Sequence, residues 1–485
     1  MIMEEGFGIM RLSLIVGKIY MKVLFWNTYQ IKEIDLIKHQ IKGEAMTHTI
    51  HLKAPSNWIN DPNGFIYYKG LYHLFYQHFP YEPRWGRMHW GHAVSKDLVH
   101  WEHQKIALFP SKYDDRSGCY SGSAVEYQGK LYLYYTGMNY LEENPEDINL
   151  CYNNHSAAAQ MMVTSEDGFR IDNIRDKRRV IPPIEDPEVG DKKDTRDPKV
   201  WRGKDGWYMV LGSRTPDHQG KLLIYRSRDL ENWEFVNSAG KDRSWGTMWE
   251  CPDYFQVGGQ GILMMSPMGI LDDGVNAPNQ SVWALADFHE ETCSMEIGDS
   301  YYFFDHGLDL YAPQSTLDQE GRRIITAWAR MPEPVGDSQS GWSGMFCVPR
   351  VVEVKEGHVY FRPHPYVKRA FTRKLESPRQ AGEEGCRVEL DLEDGDWIDI
   401  GGYVISRQGK KIRTDRTKVY PEGRGYGTAF ETPPLREGFH VDIYVDPNLI
   451  EVYANDGEYV ISNVVYGLGK EISANRDRKI GILGV

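Results

Sequence analysis

Three acidic residues stand beside prolines in closely related surroundings: Asp61 in Trp58-Ile59-Asn60-Asp61-Pro62-Asn63-Gly64, Asp197 in Thr195-Arg196-Asp197-Pro198, and Glu250 in Trp249-Glu250-Cys251-Pro252-Asp253. Proline fixes its own φ and steers the residue before it away from the helical region, so these acids sit on stiff backbone. Asn63-Gly64 adds turn chemistry, and the sequence predicts a tight corner at Asp61 just ahead of a strand. Singly, each acid has an ordinary reading: an Asx turn at Asp61, an ion pair within Arg196-Asp197. Jointly they could do more. Carboxylates gathered at one poorly hydrated place repel one another and spread their pKa values, which separates a proton donor from a nucleophile.

Whether they are gathered depends on the elements that carry them. Five segments share one layout of strand, glycine turn and aromatic-rich second strand: 64–77, 122–138, 198–214, 252–268 and 313–331. The glycines opening the second strands, Gly70, Gly129, Gly206, Gly261 and Gly321, are spaced by 59, 77, 55 and 60 residues. A further element recurs after some of them. Ser95-Lys96-Asp97-Leu98 through Trp101-Glu102 matches Ser227-Arg228-Asp229-Leu230 through Trp233-Glu234, with Ser165-Glu166-Asp167-Gly168 as a weaker copy. Repeats of four short strands at this spacing predict an all-β fold, a five-bladed β-propeller over residues 46–350. A large sandwich would not account for the step. The three acids then occupy one position at the start of repeats one, three and four, and the second repeat carries Tyr120-Ser121-Gly122-Ser123 there. Innermost strands line a propeller's channel, so residues at one position converge on one ring.

Beyond the repeats, residues 351–385 are rich in charge and proline and read as a connector. Residues 386–485 alternate polar and apolar positions between turn signals and predict a β-sandwich. Residues 1–45 read as an extension of no assigned role. Their apolar stretch is interrupted by Arg11, Lys18 and Lys22, and suits neither a membrane span nor a signal peptide.

The net charge of -13 argues against nucleic acid and anionic membranes as partners. Six scattered cysteines suit free thiols in a reducing compartment, hence a cytoplasmic location. The 13% aromatic content suits both β packing and the stacking of sugar rings. Two H-x-x-H spacings, His89/His92 and His100/His103, raise the question of zinc. On a strand, positions three apart face opposite sides, so no metal is expected. No cofactor is expected either, and nothing in the sequence specifies an oligomeric state.

These motifs, in this order, resemble glycoside hydrolase family 32, the invertase, sucrose-6-phosphate hydrolase and fructanase group. Supporting stretches are Phe75-Tyr76-Gln77, Trp85-Gly86, Met88-His89-Trp90-Gly91-His92, Tyr120-Ser121-Gly122, Phe304-Asp305-His306-Gly307, Tyr311-Ala312-Pro313-Gln314 and Gly341-Trp342-Ser343-Gly344. Ile59, Tyr120 and Val348 depart from the commoner Met, Phe and Leu. The resemblance runs from about residue 50 to the C-terminus and implies the same propeller followed by a sandwich.

It further implies a retaining β-fructofuranosidase acting on sucrose or sucrose 6-phosphate. In that reading Asp61 is the nucleophile, Glu250 the acid and base, and Asp197 the stabiliser of the transition state. The two reacting carboxyls should stand about 5–5.5 Å apart. Asn60, Gln77, Trp85, Ser121, Arg196 and Trp328 match positions that bind the fructosyl ring, with Trp328 equally readable as a blade-core aromatic. Competing readings are a fructanase or fructosyl transferase, an arabinan-cleaving propeller, and a non-catalytic carbohydrate-binding propeller.

Overall fold

The computed structural model describes residues 50–272, 275–276, 279–336, 341–375, 385–476 and 481–484. The expected N-terminal extension lies outside them. Five antiparallel sheets follow one another along the chain, opened by the strands Asn57–Tyr68, Gly118–Tyr127, Arg196–Arg202, Met248–Val257 and Leu310–Leu317. Each opening strand contacts those of the two adjacent sheets, and the last contacts the first, so the five close a ring around a central axis. The ring is also stitched by Trp342–Ser343, late in the chain, which pairs in parallel with Asn57–Tyr68. The protein is therefore a five-bladed propeller with a β-sandwich behind it.

The recurring Ser-x-Asp element proves to be one turn built three times. The Ser95 hydroxyl accepts from Leu98 N–H at 2.9 Å, and Asp97 Oδ1 accepts from the N–H groups of Val99 and His100 at 3.0 and 2.8 Å. Ser227 and Asp229 repeat this with Leu230, Glu231 and Asn232. Ser165 and Asp167 repeat it with Gly168, Phe169 and Arg170. The residue after the aspartate takes φ of 65° at Leu98, 68° at Leu230 and 80° at Gly168. Leucine tolerates this costly conformation because the serine and aspartate occupy the free backbone donors.

Two expectations about local structure are corrected. The corner at Asp61 is a bulged stretch inside the strand Asn57–Tyr68, whose register with its neighbour shifts between Ile59 and Pro62 and again between Asn63 and Ile66. Pro62 has no N–H to offer the ladder and Gly64 takes φ of 51°, so the chain bulges without turning back. The connector also begins later than residue 351. Arg350–Lys355 and His358–Pro363 are strands, and the first pairs with Arg323–Ala329 of the fifth sheet. Val351, Val352, Val359 and Phe361 are buried in this pair, and Glu356-Gly357 turns it. Charge at the turn and on the outer face had masked the alternation.

The sandwich packs a six-stranded sheet on a five-stranded one. Val388, Ile398, Ile405, Ile412, Ile443 and Ile461, all under 1% exposed, lie in the core between them. Buried ions tie it to the propeller. The Arg350 guanidinium donates to Asp305, Glu451 and Ser462, and Arg416 grips Asp309. Pairs this deep gain little net stability, but they make a misplaced interface costly. Among the described residues no helix is long and apolar enough to cross a membrane.

Candidate active site

Each opening strand carries an irregularity at the same level, and Asn57–Tyr68 has a second one further along. The register shifts fall between Ile59 and Pro62, Cys119 and Gly122, Glu250 and Asp253, and Tyr311 and Gln314, and the third sheet shifts between Arg196 and Lys199. A bulge turns consecutive side chains, which would otherwise alternate, toward the same end of the channel. The result is two tiers.

Asn60, Tyr120, Arg196, Glu250 and Tyr311 form the upper tier, and all five line a cavity of about 750 Å³ at the mouth of the channel. The residues that follow them, Asp61, Ser121, Asp197, Cys251 and Ala312, form the lower tier. Asp61 and Asp197 reach the cavity from this level, whereas Ser121 and Cys251 line a small space beneath it. The equivalence of the three acids is thus corrected by one residue: Cys251 matches Asp61 and Asp197, and Glu250 matches Arg196. Asp197, Cys251 and Ala312 hold φ of 65°, 48° and 53°, a strain localised at this tier.

The lower tier holds Asp61 from beneath. Its Oδ2 accepts from the Ser121 hydroxyl at 2.5 Å, from Gln77 Nε2 at 3.1 Å and from the Cys251 thiol at 3.5 Å. Its Oδ1 accepts from Asn60 Nδ2 at 3.1 Å. The Trp58 indole N–H donates to Asn60 Oδ1 at 2.8 Å and so fixes which end of that amide faces the acid. Burial raises the pKa of Asp61 above its ordinary value, the Glu250 charge adds to the rise, and the Ser121 and Asn60 donors oppose it. Asp197 is pushed up to about 7, by burial first, with the Arg196 charge opposing and the Glu250 and Asp61 charges adding. Its Oδ2 accepts from Cys251 N–H at 3.0 Å and approaches the same thiol at 3.6 Å. Burial and the adjacent carboxylates hold that thiol in its protonated, donating form.

Glu250 is clasped at both oxygens. Arg196 donates to Oε1 at 2.8 Å and the Tyr311 hydroxyl to Oε2 at 2.6 Å. Arg196 is oriented in turn by Asp194, 2.6 Å from its other terminal nitrogen. Trp328 meets Trp58 edge to face at 5.7 Å and lines the cavity, as does Trp85 beside Tyr120. Indole faces and directional amide, hydroxyl and guanidinium groups around one polar floor suit a sugar ring.

Of the nine residues singled out in the sequence, eight line this cavity, and Ser121 is 2% exposed underneath it. Sequence reading missed the clasp from Tyr311, the thiol of Cys251, and the outer cations Lys193 and Arg214. Tyr311 could have been found by aligning the repeats on their prolines, which places it in register with Glu250. The histidines of the H-x-x-H spacings are separately engaged. His89 faces the Arg87 carbonyl, His92 stacks on Phe75, His100 pairs with Asp97, and His103 meets the Tyr76 hydroxyl.

Comparison with known proteins bears on this arrangement directly. Residues 51–363 match the family description "Glycosyl hydrolases family 32 N-terminal domain", and residues 395–478 match "Glycosyl hydrolases family 32 C terminal". The chain is 39% identical to a sucrose-6-phosphate hydrolase of Zymomonas mobilis over 89% of its own length and 88% of that protein's. It is 33% identical to a sucrose-6-phosphate hydrolase of Escherichia coli over 88% and 91%. Among solved structures it resembles a GH32 β-fructofuranosidase of Bombyx mori, with a TM-score of 0.78, 28% identity and coverage of 94% of this chain and 97% of that one. A bulged ring bearing two aspartates and a clasped glutamate, on a propeller joined to a sandwich, together with both domain matches, places this chain in glycosyl hydrolase family 32.

Proposed function

We propose that the protein is a retaining β-fructofuranosidase that releases the terminal fructosyl unit of sucrose or sucrose 6-phosphate. The observation that carries this reading is the unequal treatment of two carboxyls at one cavity floor. Asp61 is surrounded by four donors that favour its ionised form, while Glu250 is steered at both oxygens by Arg196 and Tyr311. Relatives named as sucrose-6-phosphate hydrolases and a raffinose invertase support the substrate class, as does a Bombyx mori β-fructofuranosidase variant solved in complex with sucrose.

In the first step an Asp61 oxygen attacks the anomeric carbon of the fructosyl unit. The bond to the leaving oxygen breaks, and Glu250 delivers its proton to that oxygen. Water then attacks the same carbon, Glu250 takes its proton, and the ester to Asp61 breaks, restoring both carboxyls. Asp197 hydrogen-bonds sugar hydroxyls and stabilises the positive charge that develops on the ring. Arg196, Gln77, Asn60 and the indoles of Trp85 and Trp328 position that ring, and Ser121 acts one layer down through Asp61. Six free thiols favour action in a reducing cytoplasm on an imported disaccharide.

The test is fructose release by purified protein from sucrose, sucrose 6-phosphate and inulin compared side by side. Rapid release from either disaccharide is expected. Preference for inulin would move the protein to the fructanases, and silence on all three would leave a carbohydrate-binding propeller.

A further inference from the structure

Three cationic side chains line the cavity: Arg196, Arg214 and Lys193. Two are neutralised within it. Arg196 pairs with Glu250 at 2.8 Å and Asp194 at 2.6 Å, and Arg214 pairs with Asp194 at 2.8 Å and Asp191 at 3.0 Å. Lys193 differs. Its ammonium donates to a neutral amide oxygen, Asn154 Oδ1, at 2.7 Å, and among the described residues it has no carboxylate partner. Its charge is therefore uncompensated at the wall of a cavity whose floor is anionic.

The position is built. Asp191 Oδ1 accepts from the backbone N–H groups of Lys193 and Asp194 at 2.9 and 2.8 Å, which fixes the turn carrying the lysine. Asn154 comes from the loop between the second and third strands of the second sheet, so the lysine spans two blades. Lys193 is next in sequence to Asp194, which braces Arg196 against Glu250. Lys193 and Asn154 line the cavity from loops, together with Asn144 and Leu150, and not from the bulged strands that carry Asp61, Asp197 and Glu250.

We infer that Lys193, steadied by Asn154, is a specificity determinant that recognises a phosphate on the leaving-group sugar and makes a phosphorylated disaccharide the favoured substrate. The inference rests on the hydrolase reading above and deepens it. A lysine ammonium is a mobile point charge well suited to a phosphate dianion, and moving from Asn154 to phosphate exchanges a neutral acceptor for a charged one. An unphosphorylated leaving group gains nothing from that exchange.

The experiment is steady-state kinetics on sucrose and sucrose 6-phosphate for the wild type, Lys193→Met and Lys193→Arg, with circular dichroism confirming the fold. The readout is the ratio of the two kcat/KM values. The wild type should favour the phosphorylated sugar. Lys193→Met should lower the ratio by ~10-fold or more, the difference between a hydrogen bond to a charged and to a neutral partner. Lys193→Arg should restore part of it. A ratio that Lys193→Met leaves in place overturns the inference, and so does a wild type that prefers sucrose, although the hydrolase reading then stands. If neither sugar is turned over, the hydrolase reading falls, and calorimetric binding of both sugars to wild type and Lys193→Met decides the inference alone. Tighter binding of the phosphorylated sugar that depends on Lys193 supports it, and no such dependence overturns it.

Discussion

Ser121→Ala separates a residue that touches sugar from one that acts through a carboxylate. In the structure the Ser121 hydroxyl is buried and donates to Asp61 Oδ2 at 2.5 Å. A hydrogen bond to an ionised acceptor contributes ~1.5–3 kcal/mol and one between neutral groups ~0.5–1.5 kcal/mol. The hydroxyl thus favours the Asp61 carboxylate over its protonated form by ~1 kcal/mol or slightly more, about one pH unit. It opposes the upward push of burial on that acid. Removing it raises the Asp61 pKa further, and because the proposed attack by Asp61 requires the carboxylate, the acid limb of the pH profile should move up by about one unit. The assay is kcat/KM for fructose release from pH 4 to 9 in wild type and variant. Activity that falls equally at every pH, with the acid limb unmoved, would refute the reasoning and return Ser121 to the role of a sugar contact.

Glu250→Gln should cost ~10²–10⁴-fold in kcat, the usual contribution of a positioned acid, and turnover near wild type in initial-rate measurements would remove it from the mechanism. Tyr311→Phe deletes the 2.6 Å donor to Glu250 and should lower kcat by about tenfold, whereas a rise in KM alone would mean that the tyrosine binds sugar instead. His51 is buried between Asp446 at 2.7 Å and Glu451 at 2.8 Å, and its pKa rises to about 9 because these hydrogen bonds and charges together outweigh burial, which is the largest single influence and acts downward. Its charged form contributes on the order of 3 kcal/mol, fully present below pH 6.5 and lost as pH rises through 9. The stability gap between wild type and His51→Gln in urea should therefore shrink between pH 6 and pH 9.5, and a gap constant across that range would count against the charged pair. Gly122→Ala would set a Cβ 1.9 Å from the Tyr134 carbonyl oxygen, so both the melting temperature and fructose release should fall, and retention of both would show that the bulge beneath Asp61 is more yielding than its packing implies.

The glycine spacing, the Ser-x-Asp turns and the proline-bound acids were legible in the chain because each is local. A turn is specified by the few residues that supply its φ values and its donors, and a blade by the alternation of its own strands. The same locality explains the error at Val351. Its strand pair is held by residues contacted across the fifth sheet, while the nearby charges and prolines read as a linker. At the site, the sequence pointed to Asp61, Asp197 and Glu250, and the structure brought them to one cavity. What tertiary structure alone decided is which groups surround each acid. Ser121 reaches Asp61 across 60 residues and Arg196 reaches Glu250 across 54, and no spacing along the chain encodes either distance. The two-tier arrangement is likewise a property of strand pairing, since a bulge exists only relative to the partner it slips against. Burial and charge then act through space, so one carboxyl is pushed up to about 7 at Asp197 and another is braced at both oxygens at Glu250 only once five strands have closed their ring.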